Sequence, residues 1–137
     1  VAVEVLEHTA EVGLRARADS LEGLLQELAT GLFGLITDPQ AVQAREAWPV
    51  EVQADDLTAL VVEWLNELLF LHARDGMLAC RCEVHEVGPQ RLRATVWGER
   101  FDPDRHPRGI EVKSATYHQA RVDRSSDGWT AVVYLDV

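Results

Sequence analysis

The run Pro49-Val50-Glu51-Val52-Gln53-Ala54-Asp55-Asp56-Leu57-Thr58-Ala59-Leu60-Val61-Val62-Glu63-Trp64-Leu65-Asn66-Glu67-Leu68-Leu69 changes its hydrophobic period partway along. Up to Ala54, apolar and polar residues alternate, which predicts a strand with Pro49 at its start, where a missing amide is tolerated. From there the apolar positions are Leu57, Leu60, Val61, Trp64, Leu65, Leu68 and Leu69, the spacing of one helix face. Asp55 and Asp56 offer the N-cap and suit the positive end of the helix dipole, and Asp75-Gly76 closes the helix. Glu63, Asn66 and Glu67 fall between the apolar positions and read as a solvated face.

Upstream, a second helix is predicted. Asp19 and Ser20 offer caps, Leu21, Leu24, Leu25, Leu28, Leu32, Leu35 and Ile36 keep helical spacing, and Asp38-Pro39 ends the run. Gly23, Gly31 and Gly34 each weaken such a helix by up to about 1 kcal/mol, so close approach of a neighbouring element is their expected use. Residues 40–47 read as a surface connection. Near the start, Val3 and Val5 alternate before Glu7-His8-Thr9-Ala10-Glu11-Val12-Gly13, and Leu14-Arg15-Ala16-Arg17-Ala18 alternates after it with its arginines toward water. Two strands meeting at a polar corner follow from this, and such a corner is either a plain turn or the rim of a site.

Downstream the chain reads as strands. Leu78, Cys80, Cys82 and Val84 alternate, Gly88-Pro89 turns, and Leu92, Ala94 and Val96 return as a hairpin. Residues 98–109 read as an irregular loop from their Pro and Gly content. Residues 110–122 read as extended, Ser125-Ser126-Asp127-Gly128 as a hairpin turn, and residues 129–135 as the last strand. Two amphipathic helices among hairpin-linked strands predict an α+β fold, a single domain over residues 1–137, with the helices packed against mostly antiparallel β-sheet.

Composition narrows the functional classes. Hydrophobic content is 47% and charged content 26%, ordinary for a soluble globular protein, and no apolar run approaches the length of a bilayer span. The first residues carry no basic-then-apolar signal pattern, so a cytoplasmic location is expected. Net charge is −10, from 13 basic and 23 acidic side chains, which disfavours direct tight binding of nucleic acid. An acidic surface suits cations or a basic protein partner. Cys80 and Cys82 lie too close for an unstrained bridge and lack companions for a zinc site, so buried reduced thiols are expected.

Three groupings could carry chemistry. Glu7, His8 and Glu11 lie at one end of the chain, with Asp136 and the α-carboxylate of Val137 at the other. If the terminal strands are neighbours, Glu11, Asp136 and Val137 converge as oxygen ligands of the kind Ca²⁺ or Mg²⁺ prefers, although scattered carboxylates usually mean solvated surface. Glu111-Val112-Lys113-Ser114-Ala115-Thr116-Tyr117-His118 contains Lys113, the only lysine in a chain that otherwise uses arginine. An ammonium is a compact point charge that a guanidinium does not mimic at a carboxylate cluster or a phosphate. Asp102, Asp104 and His106 could hold a metal for a small hydrolase, but a loop stabilised by its own Asp turns accounts for them as well. No phosphate-binding glycine loop, nucleophile elbow or paired zinc motif occurs, so an independent enzyme is not supported.

Taken together, these segments resemble the archease family. The likeness rests on Glu7-His8-Thr9-Ala10-Glu11-Val12-Gly13, on Ala54-Asp55-Asp56-Leu57 leading to Trp64-Leu65-Asn66-Glu67-Leu68-Leu69, and on Gly98-Glu99, Asp102 and His106. It continues through Glu111-Val112-Lys113, Thr116-Tyr117-His118 and the closing Leu135-Asp136-Val137. The resemblance implies a protein cofactor: an activator of the RtcB-type tRNA-splicing RNA ligase that promotes its guanylylation and multiple turnover in tRNA processing and RNA repair. It maps metal ligation onto Glu11, Asp136 and Val137, with Ca²⁺ as the first expectation and Mg²⁺ or Mn²⁺ as alternatives, and a functional lysine onto Lys113. The family usually carries Asp at both acidic places of the opening motif, where this chain has Glu7 and Glu11. A metal-independent, chaperone-like module for RNA-modifying enzymes is the alternative.

Overall fold

The computed structural model describes residues 2–7 and 11–137, so His8, Thr9 and Ala10 of the opening corner lie outside the described residues. The elements run β1 (Ala2–Glu7), β2 (Glu11–Ala18), α1 (Leu21–Ile36), a 3₁₀ turn at Pro39–Ala41, β3 (Glu46–Gln53) and α2 (Leu57–Asp75). They continue with β4 (Met77–Val87), β5 (Arg91–Arg100), β6 (Ser114–Ser125) and β7 (Gly128–Asp136). Both helices start where their caps predict. Ser20 Oγ accepts from the Gly23 N–H at 3.0 Å, and Asp56 Oδ1 accepts from the Ala59 N–H at 2.8 Å. Gly76 ends α2 in the left-handed region at φ 71°, which glycine adopts without a Cβ penalty.

The strands form two fully antiparallel sheets, one ordered β1-β2-β7-β6 and the other β3-β5-β4. Each helix packs on both: α1 on β2 and β4, α2 on β6 and β3. The helices are therefore a middle layer, which explains why each is buried over more than one stripe. Leu24, Leu25, Leu28 and Leu32 of α1 and Leu60, Val61, Trp64 and Leu65 of α2 are wholly inaccessible. Trp64 ties the two together, its indole Nε1–H donating to the Leu25 carbonyl at 3.0 Å. Of the helical glycines, Gly31 fulfils the close-approach expectation, because a Cβ there would meet Val3 and Leu14. Gly34 faces open space.

Several boundaries differ from the sequence reading. β3 begins at Glu46, inside the stretch read as a connection, and Pro49 sits within the strand; β3 is an edge strand, where proline removes no ladder bond. β5 runs on through Gly98, Glu99 and Arg100, read as loop, because Gly98 lets Leu78 and Ala79 of β4 approach its backbone closely. Residues 109–113 are not strand. The Gly109 and Ile110 N–H groups instead donate to the Ile36 and Leu35 carbonyls at 2.8 and 2.9 Å, which satisfies the free end of α1. Cys80 is exposed, not buried, because the bulge between Ala79 and Arg81 turns it out of the alternation. Cys82 is half-buried, and burial pushes its thiol up to about 12.

Asn66 is also not simply solvated. Its side-chain amide pairs with the backbone of Ala115, donating to the carbonyl at 3.0 Å and accepting from the N–H at 2.8 Å. Glu63 accepts from the Tyr117 hydroxyl at 2.7 Å. The polar face of α2 thus holds the start of β6 in place. Among the described residues no helix is long and apolar enough to cross a membrane.

Candidate functional site: an acidic row across three strands

The register of the first sheet builds the site. In β2 the apolar side chains of Leu14, Ala16 and Ala18 point toward the helices, which sends Glu11, Gly13, Arg15 and Arg17 to the opposite, helix-free face. Antiparallel pairing sets Glu11 directly across from Asp136 of β7, and Asp136 across from Ser114 of β6. Residues opposed in this way carry Cβ atoms about 4.5–5.5 Å apart, within reach of one shared cation. The last strand lies between β2 and β6, so the first strand, β1, is not its neighbour but stands one strand beyond β2.

Asp136 is the best-held member of the row. Ser114 Oγ–H donates to its Oδ2 at 3.1 Å, and the Lys113 N–H donates to its main-chain carbonyl at 2.8 Å. One carboxylate oxygen is therefore oriented by a neighbour while the other stays available, the usual supporting arrangement for an oxygen ligand. Lys113 lies just before β6 with its side chain exposed, and it has no ion-pair partner among the described residues. Val137 follows Asp136 at the strand end and is 39% exposed. Behind the row, Gly13 is flanked by Leu6 and Tyr134 so tightly that a Cβ would come within 2.9 Å of each. The strands carrying the acidic row are thus braced by a contact that only glycine permits.

Hard oxygen donors of this kind fit Ca²⁺, Mg²⁺ or Mn²⁺ better than zinc or copper. Two side-chain carboxylates, even if joined by a main-chain oxygen of Val137, would make only a partial shell. Among the described residues no group of three or more His, Cys, Asp and Glu side chains could hold a metal by itself. The Glu7 backbone pairs with Val12, and His8 lies outside the described residues.

The Asp102-Asp104-His106 grouping comes apart. Asp102 Oδ1 accepts from the Asp104 N–H at 3.0 Å, an Asp turn of the expected type. His106 is buried at 2% exposure, and its Nδ1 accepts from the Asp102 N–H at 2.8 Å. In the neutral ring this leaves the proton on Nε2, which lies 3.2 Å from Glu99 Oε2 without hydrogen-bond alignment. Glu99, itself 5% exposed, also takes both arms of the Arg105 guanidinium at 2.6 and 2.8 Å and the Gln43 N–H at 2.6 Å. The Arg105 hydrogen bonds hold its carboxyl well below the usual carboxylate range, against the effect of burial. This network clamps the loop onto the end of β5; it offers no cluster of open ligands.

Sequence reasoning missed Ser114 as a site residue, and the cause is specific. Counting back from the hairpin at Ser125–Gly128 would put Tyr117 opposite Asp136. A bulge intervenes, since the four residues between Thr116 and Arg121 face the single residue between Tyr134 and Val132, with Gln119 at φ 58°. Asn66 had a weak signal, an amide in the middle of an apolar helix.

Comparison with known proteins agrees over nearly the whole chain. The archease protein family (MTH1598/TM1083) matches residues 4–137. A protein archease from Methanopyrus kandleri is 42% identical over 137 residues, covering 98% of each chain. One from Thermococcus gammatolerans is 40% identical over 139 residues, covering 98% of this chain and 97% of its own. Among solved structures, protein 1598 of Methanobacterium thermoautotrophicum superposes with a TM-score of 0.84 at 30% identity, covering 99% of both chains. A Thermotoga maritima protein described as an archease and possible chaperone gives 0.67 at 19% identity over 96% of this chain and 94% of its own, a likeness of fold. The α+β architecture, the order of its elements and these matches agree: the chain belongs to the archease family.

Proposed function

We propose that the protein activates an RNA ligase of the RtcB type that acts in tRNA splicing and RNA repair, promoting its guanylylation and multiple turnover from within the cytoplasm. The observation that carries this reading is the direct cross-strand pairing of Glu11 with Asp136 at one end of the helix-free sheet face. Glu11, Asp136 and a main-chain oxygen of Val137 would hold a divalent cation, Ca²⁺ in the first instance, with Mg²⁺ or Mn²⁺ as alternatives. Such an ion, when bound, supplies positive charge of the kind that stabilises phosphoryl transfer. Ser114 keeps Asp136 aimed, and Lys113 adds a compact positive charge at the margin of the row. Glu11 carries one methylene more than the Asp usual in the family, so its reach is longer and its denticity more variable.

A net charge of −10 supports action through a basic enzyme more than a direct grip on RNA. The test follows ligase guanylylation with Glu11→Ala, Asp136→Ala and Lys113→Ala proteins. Each is expected to lose most of the stimulation, and full stimulation by all three would refute the reading. The second reading, a metal-independent chaperone-like module, draws on the two-carboxylate side-chain set among the described residues. Calorimetric titration with Ca²⁺ separates the two, since near-stoichiometric uptake favours the metal-holding activator.

A further inference from the structure

A groove of about 820 Å³ lies between the C-terminal parts of α1 and α2 and the segment 101–113. Its floor is apolar, with Ile36, Leu69 and Val112 buried and Phe101 half-buried. Over this floor stands Ile110, 42% exposed on a backbone that is fastened along its length. The Gly109 and Ile110 amides cap α1, Thr37 Oγ1–H donates to the Pro107 carbonyl at 2.8 Å, and the Lys113 amide is bonded to Asp136. An exposed β-branched side chain on so fixed a mount loses little entropy when covered, which is what a docking anchor needs.

The charge of the groove runs against that of the chain. Arg108, stacked 4.5 Å above the Phe101 ring, and Lys113 stand against one acid, Glu111, and neither cation has an ion-pair partner among the described residues. The groove is also continuous with the acidic row, because Lys113 belongs to one and its backbone is bonded to Asp136 of the other. Adjacent patches of opposite sign fix the register of a partner better than one uniform field does.

We propose that this groove docks an extended segment of the ligase that carries an apolar anchor residue beside one or two carboxylates. The inference rests on the activator reading above and names the second contact that orients the acidic row. The anchor enters beside Ile110 over Phe101, and the carboxylates meet Arg108 and Lys113. The volume would also admit a small anion, so that occupant is an outcome of the test.

Ile110→Asp and Arg108→Glu change exposed side chains outside the acidic row, with Ile110→Ser as a milder variant and a thermal melt to confirm folding. Affinity for the purified ligase is measured by calorimetry, and guanylylation is measured at saturating activator. Both variants should weaken binding roughly tenfold or more while leaving the saturated rate at the wild-type level. Glu11→Ala should do the reverse, lowering the saturated rate. Charge reversal of the ligase carboxylate should restore binding of Arg108→Glu. A photo-reactive residue at position 110 should cross-link to an acid-flanked apolar segment of the ligase.

Wild-type affinity in both variants, or a cross-link to a basic segment, overturns the proposal while activation itself stands. Binding of GTP alone at the groove without competition from the ligase overturns it as well. A wild-type chain that neither binds nor stimulates the ligase removes the activator reading and this proposal together.

Discussion

Replacing Asn66 by Ala tests whether α2 sets the position of the acidic row. The amide of Asn66 makes two bonds to one residue, donating to the Ala115 carbonyl at 3.0 Å and accepting from its N–H at 2.8 Å. Ala115 is 5% exposed, so truncation leaves both its backbone groups without their partner in a nearly dry place. An orphaned buried polar group costs about 1–3 kcal/mol, and Asn66 itself is only half-buried, so water recovers part of that. The expected loss is about 2–4 kcal/mol in denaturant unfolding, with an unchanged slope. Amide exchange should show the largest gain in β6 at Ala115, and ligase stimulation should fall because Ser114 and Lys113 immediately precede it. Asn66→Asp should do no better at neutral pH, since a carboxylate faces the Ala115 carbonyl where the amide donated. A loss below about 0.5 kcal/mol, with Ala115 as protected as before, would refute the reasoning.

Two further outcomes follow from the same structure. Glu99 has its carboxyl lowered by Arg105, so its stabilisation is fully present above the unfolded value of about 4.3 and declines as pH falls from there through the folded value. Glu99→Gln should flatten that acid limb in pH-dependent melts and lose about 2–3 kcal/mol at pH 7, less than a fully buried pair because Arg105 is 35% exposed. Gly13→Ala should cost about 1–3 kcal/mol by thermal melt, because its Cβ would sit 2.9 Å from both Leu6 and the Tyr134 ring.

The local signals in this chain were sufficient where the physics is local. Ser20 and Asp56 cap the helices they precede, Gly76 ends α2, and the Gly88-Pro89 and Asp127-Gly128 turns join the hairpins, because a few neighbouring residues determine each of these. Alternation in Leu14-Arg15-Ala16-Arg17-Ala18 likewise marked which face of β2 meets the helices. Glu11, Asp136 and Lys113 are legible as candidates from residue type and position, the family resemblance maps roles onto them, and their neighbourhood follows only if the strands pair.

Tertiary structure decided the rest. Whether Glu11 faces Asp136 depends on which strand β7 chooses, and that choice is a contest between whole sheet faces for the helices. Ser114 enters the row only because β6 carries a bulge, and a bulge is set by what packs on it: Asn66 and Glu63 of α2, over 45 residues away in sequence. His106 joins Glu99 in a buried clamp instead of serving as a loop ligand because Arg105, Gln43 and β5 meet there. Periodicity and caps report the shape of each element from within it. The acidic row and its groove arise between elements, where burial and hydrogen-bond satisfaction across the fold select one register among several that the local sequence permits.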